Sequence, residues 1–228
     1  MPRWGSKVTF VDPPLETDAA VIVLIGAFNP SIFQPSWLAA HGLIRNQEAE
    51  QAEIGVVHRE ISAFAADWLR LQVTTDRFVA QTTDTAHFPA LRDLVVATFE
   101  LLEHTPFDKL GVNRLMHYRM PTIEKWHAFG HLLVPKTAWR EVLGEEAGMR
   151  SLVVVGKELE ENGFKTNVTV RVEPSARVLP GVFFEVNDHS ETTGEDSGRR
   201  LLTRLRERWE APLDRARSIA EHLLSQEY

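Results

Sequence analysis

The chain reads as an α+β domain: a large, mostly antiparallel sheet built from two similar halves, with its helices on one face. Three observations lead there. Leu69, Leu71 and Val73 alternate with Arg70 and Gln72, as Val168, Val170 and Val172 do with Thr169 and Arg171. That period of two marks a strand with one face buried. Residues 88–103 instead place Leu91, Leu94, Val95, Thr98, Leu101 and Leu102 on one side of a helix. The predicted elements also repeat in order: strand, helix, three strands, helix. The first round covers 20–105 and the second 106–228, after an N-terminal segment over 1–19. Each first helix carries a Trp followed by a His, Trp37 with His41 and Trp126 with His131. The two halves are expected to share one sheet in a single compact unit.

Residues 8–11 form a short apolar piece stopped by Pro13 and Pro14. Residues 20–28 are β-branched and apolar on both faces, which predicts a strand covered from both sides or one whose outer face meets a partner. Asn29 precedes Pro30 and so leaves the helical region, ending the strand. A helix follows over 31–44, interrupted near Pro35, then a polar acidic link over 46–53. Strands are predicted over 54–63, 67–74 and 76–83. Asp84 or Thr85 caps the amphipathic helix, and Pro89 suits its first turn.

The centre of the chain is a long strand over 107–119, with Asn113, Arg114, His117 and Arg119 set among core formers. A helix over 123–134 opens at Thr122 and is stopped by Pro135, and a short one covers 137–143 before Gly144 and Gly148. Strands are predicted over 151–159, 164–173 and 181–187, with Asn162-Gly163 as a hairpin turn. The final helix spans 197–226 and carries Leu201, Leu202, Leu205 and Trp209 on one stripe. Pro212 forces a kink or a new start in it.

Composition narrows the function. The chain has 228 residues, 43% of them hydrophobic, enough for one sizeable core or two small fused ones. The net charge of −7, from 25 basic and 32 acidic residues, disfavours a general affinity for nucleic acid or anionic membrane but leaves room for a local basic patch. The chain has no cysteine, which excludes disulfides, thiolate metal sites and a Cys nucleophile. The longest apolar run, 19–28, falls far short of the about 20 residues that span a bilayer. No apolar run follows the basic N-terminal residues, so no secretory signal is expected. A cytoplasmic protein without a membrane partner is the expectation.

Thr75-Asp76-Arg77-Phe78 forms a strand with an Asp-Arg-aromatic turn, the helix over 88–103 follows, and Leu110-Gly111-Val112-Asn113-Arg114 opens the central strand. In these pieces the chain resembles a sporadically distributed, uncharacterised prokaryotic protein family with a Gly-Leu-Arg-Tyr-x-Asn-like strand at that place. The apolar strand at 182–188 and the long final helix follow in a similar order. Arg114 is displaced by one position from the family pattern, which turns it to the other side of the strand. The resemblance implies a fold and no activity.

Candidate sites follow from the polar and aromatic residues. His127 and His131 lie four apart on a predicted helix, a spacing that lets two imidazoles share a face, and His117 is a third ligand candidate. The segment reads His-Ala-Phe-Gly-His and lacks the Glu of a helical zinc hydrolase. Asn187-Asp188-His189, after an apolar strand, offers an acid and a base at a strand end, but its residue types favour a turn. No nucleophile elbow, dinucleotide fingerprint or phosphate loop is present, and no cofactor is implied. The seven arginines between Arg199 and Arg217 are interleaved with Glu207, Glu210 and Asp214, the pattern of a solvated face. Arg114 needs a carboxylate, for which Glu100, Glu103 and Asp188 are candidates.

Trp68 is expected on the outer face of its strand, where it and the apolar residues of 20–28 form a docking surface, unless residues 4–15 cover it. The candidate binding residues are thus Trp68, Asn113, Arg114, His117 and Trp126. The leading expectation is a non-catalytic binding or adaptor protein that docks a protein partner, or its own copy as a homodimer, through its sheet. A metal-dependent hydrolase using His117, His127 and His131 is the alternative. A nucleic-acid-associated regulator using the terminal arginines is a third.

Overall fold

The computed structural model describes residues 13–227; the apolar piece expected at 8–11 and Trp4 lie outside them. Ten strands form one sheet in which every pairing is antiparallel. The first half opens with β1 (Leu15–Gly26) and ends in a meander of β2 (Glu53–His58), β3 (Ile61–Ala66), β4 (Leu69–Thr74) and β5 (Arg77–Thr82). These four strands start eight residues apart, each six residues long and followed by a two-residue turn. The single strand expected over 54–63 is therefore a hairpin, because the chain reverses at Arg59-Glu60 and pairs His58 with Ile61. Neither turn residue has a positive φ, so the turn needs no Gly or Asn.

The second half opens with β6 (Phe107–Arg119), which pairs along its whole length with β1 and with β10 (Gly181–Glu191). β9 (Phe164–Pro174) follows β10, and β7 (Leu152–Val155) and β8 (Leu159–Glu161) lie in line along the far side of β9. The sheet order is β2-β3-β4-β5-β1-β6-β10-β9-β7. In each half the first strand pairs with the last, and the last with the one before it. Each half has five strands, but β7 and β8 share one place beside β9, so β2 at the outer edge of the first half has no counterpart.

The helices are α1 (Pro35–Ala40), α2 (Asn46–Glu50), α3 (Phe88–Leu101), α4 (Ile123–Leu133), α5 (Thr137–Leu143), α6 (Ser197–Glu207) and α7 (Glu210–Leu224). Two differ from expectation. The helix expected over 31–44 starts only at Pro35, since a proline without an amide proton suits the first helical position; a 3₁₀ turn, Pro30–Ile32, precedes it, and the polar link folds into α2. The final helix is two helices broken at Arg208–Trp209, so Pro212 falls in the first turn of α7, where no amide donor is required.

Ile22, Leu24, Leu71, Phe78, Ala80, Leu110 and Val112 meet Leu91, Leu94 and Val95 of α3 and Leu201 and Leu205 of α6 in one core cluster. Met116, Phe184 and Val186 meet Phe129 of α4 and Ala216 and Ala220 of α7 in a second. Phe33, Phe78 and Phe99 sit 5.0–6.0 Å apart, centroid to centroid, at tilted or edge-on angles. Burying each such side chain contributes about 1.5–3 kcal/mol. β1 is buried on both faces, including Ala19, Val21 and Val23. Among the described residues, no helix is long and apolar enough to cross a membrane.

The backbones of the two halves crowd each other where β1 ends. A Cβ on Gly26 would lie 2.2 Å from the carbonyl oxygen of Pro106 and 2.6 Å from the Cα of Phe107, at the register shift between β1 and β6. Backbone cannot yield there as a side chain would. Gly26→Ala is expected to destabilise the protein by about 1–3 kcal/mol, measured as a lower urea midpoint with an unchanged slope.

Candidate functional site

The polar residues of β6 divide between the two faces of the sheet. Arg114 faces the helices. Its Nε donates to Asp18 Oδ1 at 2.9 Å, its Nη2 to Asp18 Oδ2 at 2.6 Å and its Nη1 to the Leu213 carbonyl at 2.8 Å. Burial works against its charge, but the hydrogen bond and charge of Asp18 more than offset this, and its pKa is raised. The partner is none of the three carboxylates expected. Glu100 pairs with Arg206, Glu103 lies beside His104, and Asp188 pairs with Arg215.

Asn113 and His117 face away from the helices. Asn113 lies directly opposite Asn187 on β10, and Gly111 leaves room for both: a Cβ there would be 3.1 Å from Asn187 Oδ1 and 3.4 Å from Asn113 Nδ2. Asn187 Oδ1 is buried without a hydrogen-bond partner. The His117 ring lies 4.7 Å from that of Phe183, and its Nδ1 is 2.8 Å from Ser175 Oγ. Ser175 Oγ also accepts the amides of Arg177 and Val178. Its own proton is then left to donate to Nδ1, which assigns the imidazole proton to Nε2. Burial and the charge of Arg177 hold the His117 pKa below its ordinary value.

The three histidines do not converge. His117 touches Phe183, whereas Phe129 of α4 packs on Phe184. Successive strand residues point to opposite faces, so α4, with His127 and His131, lies across the sheet from His117. Among the described residues, no group of three His, Asp or Glu is placed to hold a metal ion. Trp126 packs half-buried against the second core cluster, with His127 at 5.0 Å.

Trp68 is not on the open face. It sits in the β3–β4 turn, where strand alternation no longer fixes its direction. Its Nε1 donates to Glu48 Oε1 at 3.1 Å, and its ring stacks on His87 at 5.1 Å. Asn187, Asp188 and His189 continue β10 and do not form a turn. Most of the terminal arginines are tied into the fold. Arg200 donates to the carbonyls of Asn162 and Gly163, Arg204 donates to Ser190 Oγ at 2.9 Å, and both lie over Phe164.

The uncommitted surface is the sheet itself. Its helix-free face holds a hollow of about 580 Å³ lined by Ala63, Ala65, Arg70, Gln72, Val79 and Gln81. One edge strand, β2, is exposed along its whole length, but a bulge at Gly55 bends it and it lies beside the Pro30–Ile32 turn. The other, β7, is uncovered: Val153, Val154 and Val155 are 55%, 54% and 60% exposed. The signal for it is present in the sequence, since three successive valines have no polar alternation, yet such a run reads equally well as a buried strand. Neither a protein-family model nor a curated protein matches the chain.

Two outcomes test the polar residues of β6. Arg114→Ala leaves a buried carboxylate unpaired and is expected to cost about 3–5 kcal/mol, with Asp18→Ala in the same chain restoring part of it; urea denaturation of the three variants measures both. For His117, the unfolded chain takes up a proton near its ordinary pKa while the folded chain does so only at lower pH. Folding stability is therefore lost as pH falls from about 6.5 towards the folded value. His117→Gln is expected to flatten that part of the urea-midpoint profile relative to wild type.

Proposed function

We propose that this is a binding protein and not a catalyst, and that it associates through the edge of its sheet, with a second copy of the chain as the partner at β7. The exposed, unpaired β7 edge carries the reading. An apolar edge is a template for another strand unless it is blunted, and β7, four residues long, carries no bulge of the kind that bends β2. The polar side chains at the centre of the sheet support the same reading. Arg114 is bound to Asp18 and His117 to Ser175, so structural neighbours already meet them.

A second copy suits this edge because the strand is complementary to itself. The Gly156 amide donates to the Val168 carbonyl at 2.7 Å, so the backbone groups of residues 152, 154 and 156 point into the sheet. Those of Val153 and Val155 point outward. A two-fold axis through Val154 sets Val153 opposite Val155 of the other copy, and those two residues exchange backbone hydrogen bonds.

Light scattering of the purified protein is expected to give a dimer. The double variant Val153→Glu, Val155→Glu places like charges opposite each other across the axis and is expected to be a monomer with an unchanged melting curve. A wild-type monomer at every concentration, or a dimer that survives the double valine variant, would sink the proposal.

A further inference from the structure

The strand ends opposite Gly26 form a second feature, independent of the β7 edge. There the start of β1, the segment after β5, the start of β4, the β9–β10 loop and α7 border an open hollow of about 520 Å³. Three arginines line it, one from each of three distant parts of the chain: Arg70 from β4, Arg177 from the loop and Arg217 from α7. Thr83 and Thr85 add hydroxyls. Two carboxylates also line the pocket, but both are already engaged. Asp18 is held by both nitrogens of Arg114 at 2.6 and 2.9 Å, and Glu16 by Arg119 Nε at 2.7 Å.

The charge balance is therefore positive. Arg70 and Arg177 make no ion pair or side-chain hydrogen bond among the described residues. Arg217 reaches only the already occupied Asp18, at 3.9 Å. In a chain of net charge −7, three arginines line one hollow whose only two carboxylates are already held by Arg114 and Arg119. The contrast with α6 is direct: Arg200, Arg204 and Arg206 there all have partners within the fold. We infer that the pocket binds a phosphorylated small molecule. Guanidinium groups match phosphate oxygens with paired hydrogen bonds, hydroxyls supply further donors, and the volume lies within the range of small-ligand sites.

Titration calorimetry of the full chain with inorganic pyrophosphate tests this. Saturable one-to-one binding that weakens as salt is raised is the expected result. Arg70→Gln and Arg177→Gln are exposed changes outside both core clusters, so folding is retained, as melting curves will show. Each is expected to weaken binding about tenfold, whereas Arg199→Gln, remote from the pocket, leaves it unchanged. Lack of pyrophosphate binding, equal loss in all three variants, or tighter binding of citrate than of pyrophosphate would overturn the assignment. None of these readouts depends on the oligomeric state set by β7.

Discussion

The pairing of β1 with β6 is the constraint on which the rest of the molecule depends. Among the described residues it is the only ladder between the two halves, running from Leu15 opposite Tyr118 to Gly26 opposite Phe107. Bringing such distant segments together costs loop-closure entropy before any contact repays it. Asp18 on β1 and Arg114 on β6 lie on the same face of that seam and bind each other. Arg114 also holds the Leu213 carbonyl of α7, so one guanidinium fastens both halves and the terminal helix. A slip of one residue in β6 would turn Arg114 to the open face and leave Asp18 buried without its partner. The ion pair thus penalises the wrong register more than it stabilises the right one.

Much of this architecture was legible because it rests on short-range periodicity. The alternation at Leu69–Val73, the stripe on α3 and the unbroken length of β6 all follow from side chains choosing core or solvent at fixed spacing. The errors arose where local chemistry was silent. Arg59-Glu60 turns the chain without Gly, Pro or Asn, so β2 and β3 read as one strand although the eight-residue spacing of the meander was present. Trp68 was assigned by alternation to a face it does not occupy, because it lies one residue before the strand begins.

The polar residues were harder to place for a different reason. That Arg114 needs a carboxylate follows from its burial, but that the carboxylate is Asp18 depends on the register of β1 against β6, which no local pattern encodes. His127 and His131 do lie on one helix. The sequence does not say on which side of the sheet that helix packs, and His117 is on the other. Gly111, whose missing side chain makes room for Asn113 and Asn187, is likewise explained only once β6 and β10 are paired.

What the fold leaves unused is as informative as what it uses. The sheet has two exposed ends, and they differ in shape. The Gly55 bulge and the Pro30–Ile32 turn distort and flank β2, whereas β7 presents its outward amides and carbonyls beside three exposed valines. A chain with a bulge within one edge strand and none within the other is asymmetric in how it guards against strand addition. The same asymmetry holds for charge. Arginines on α6 are matched to carbonyls, a hydroxyl, an aromatic ring and a carboxylate, while those around the strand ends surround acids that other arginines already hold. In both places the groups left over are of a single kind, apolar edge in one and cation in the other. Each therefore defines the chemistry of what can meet it: a strand with the same apolar pattern, and an anion with several oxygens.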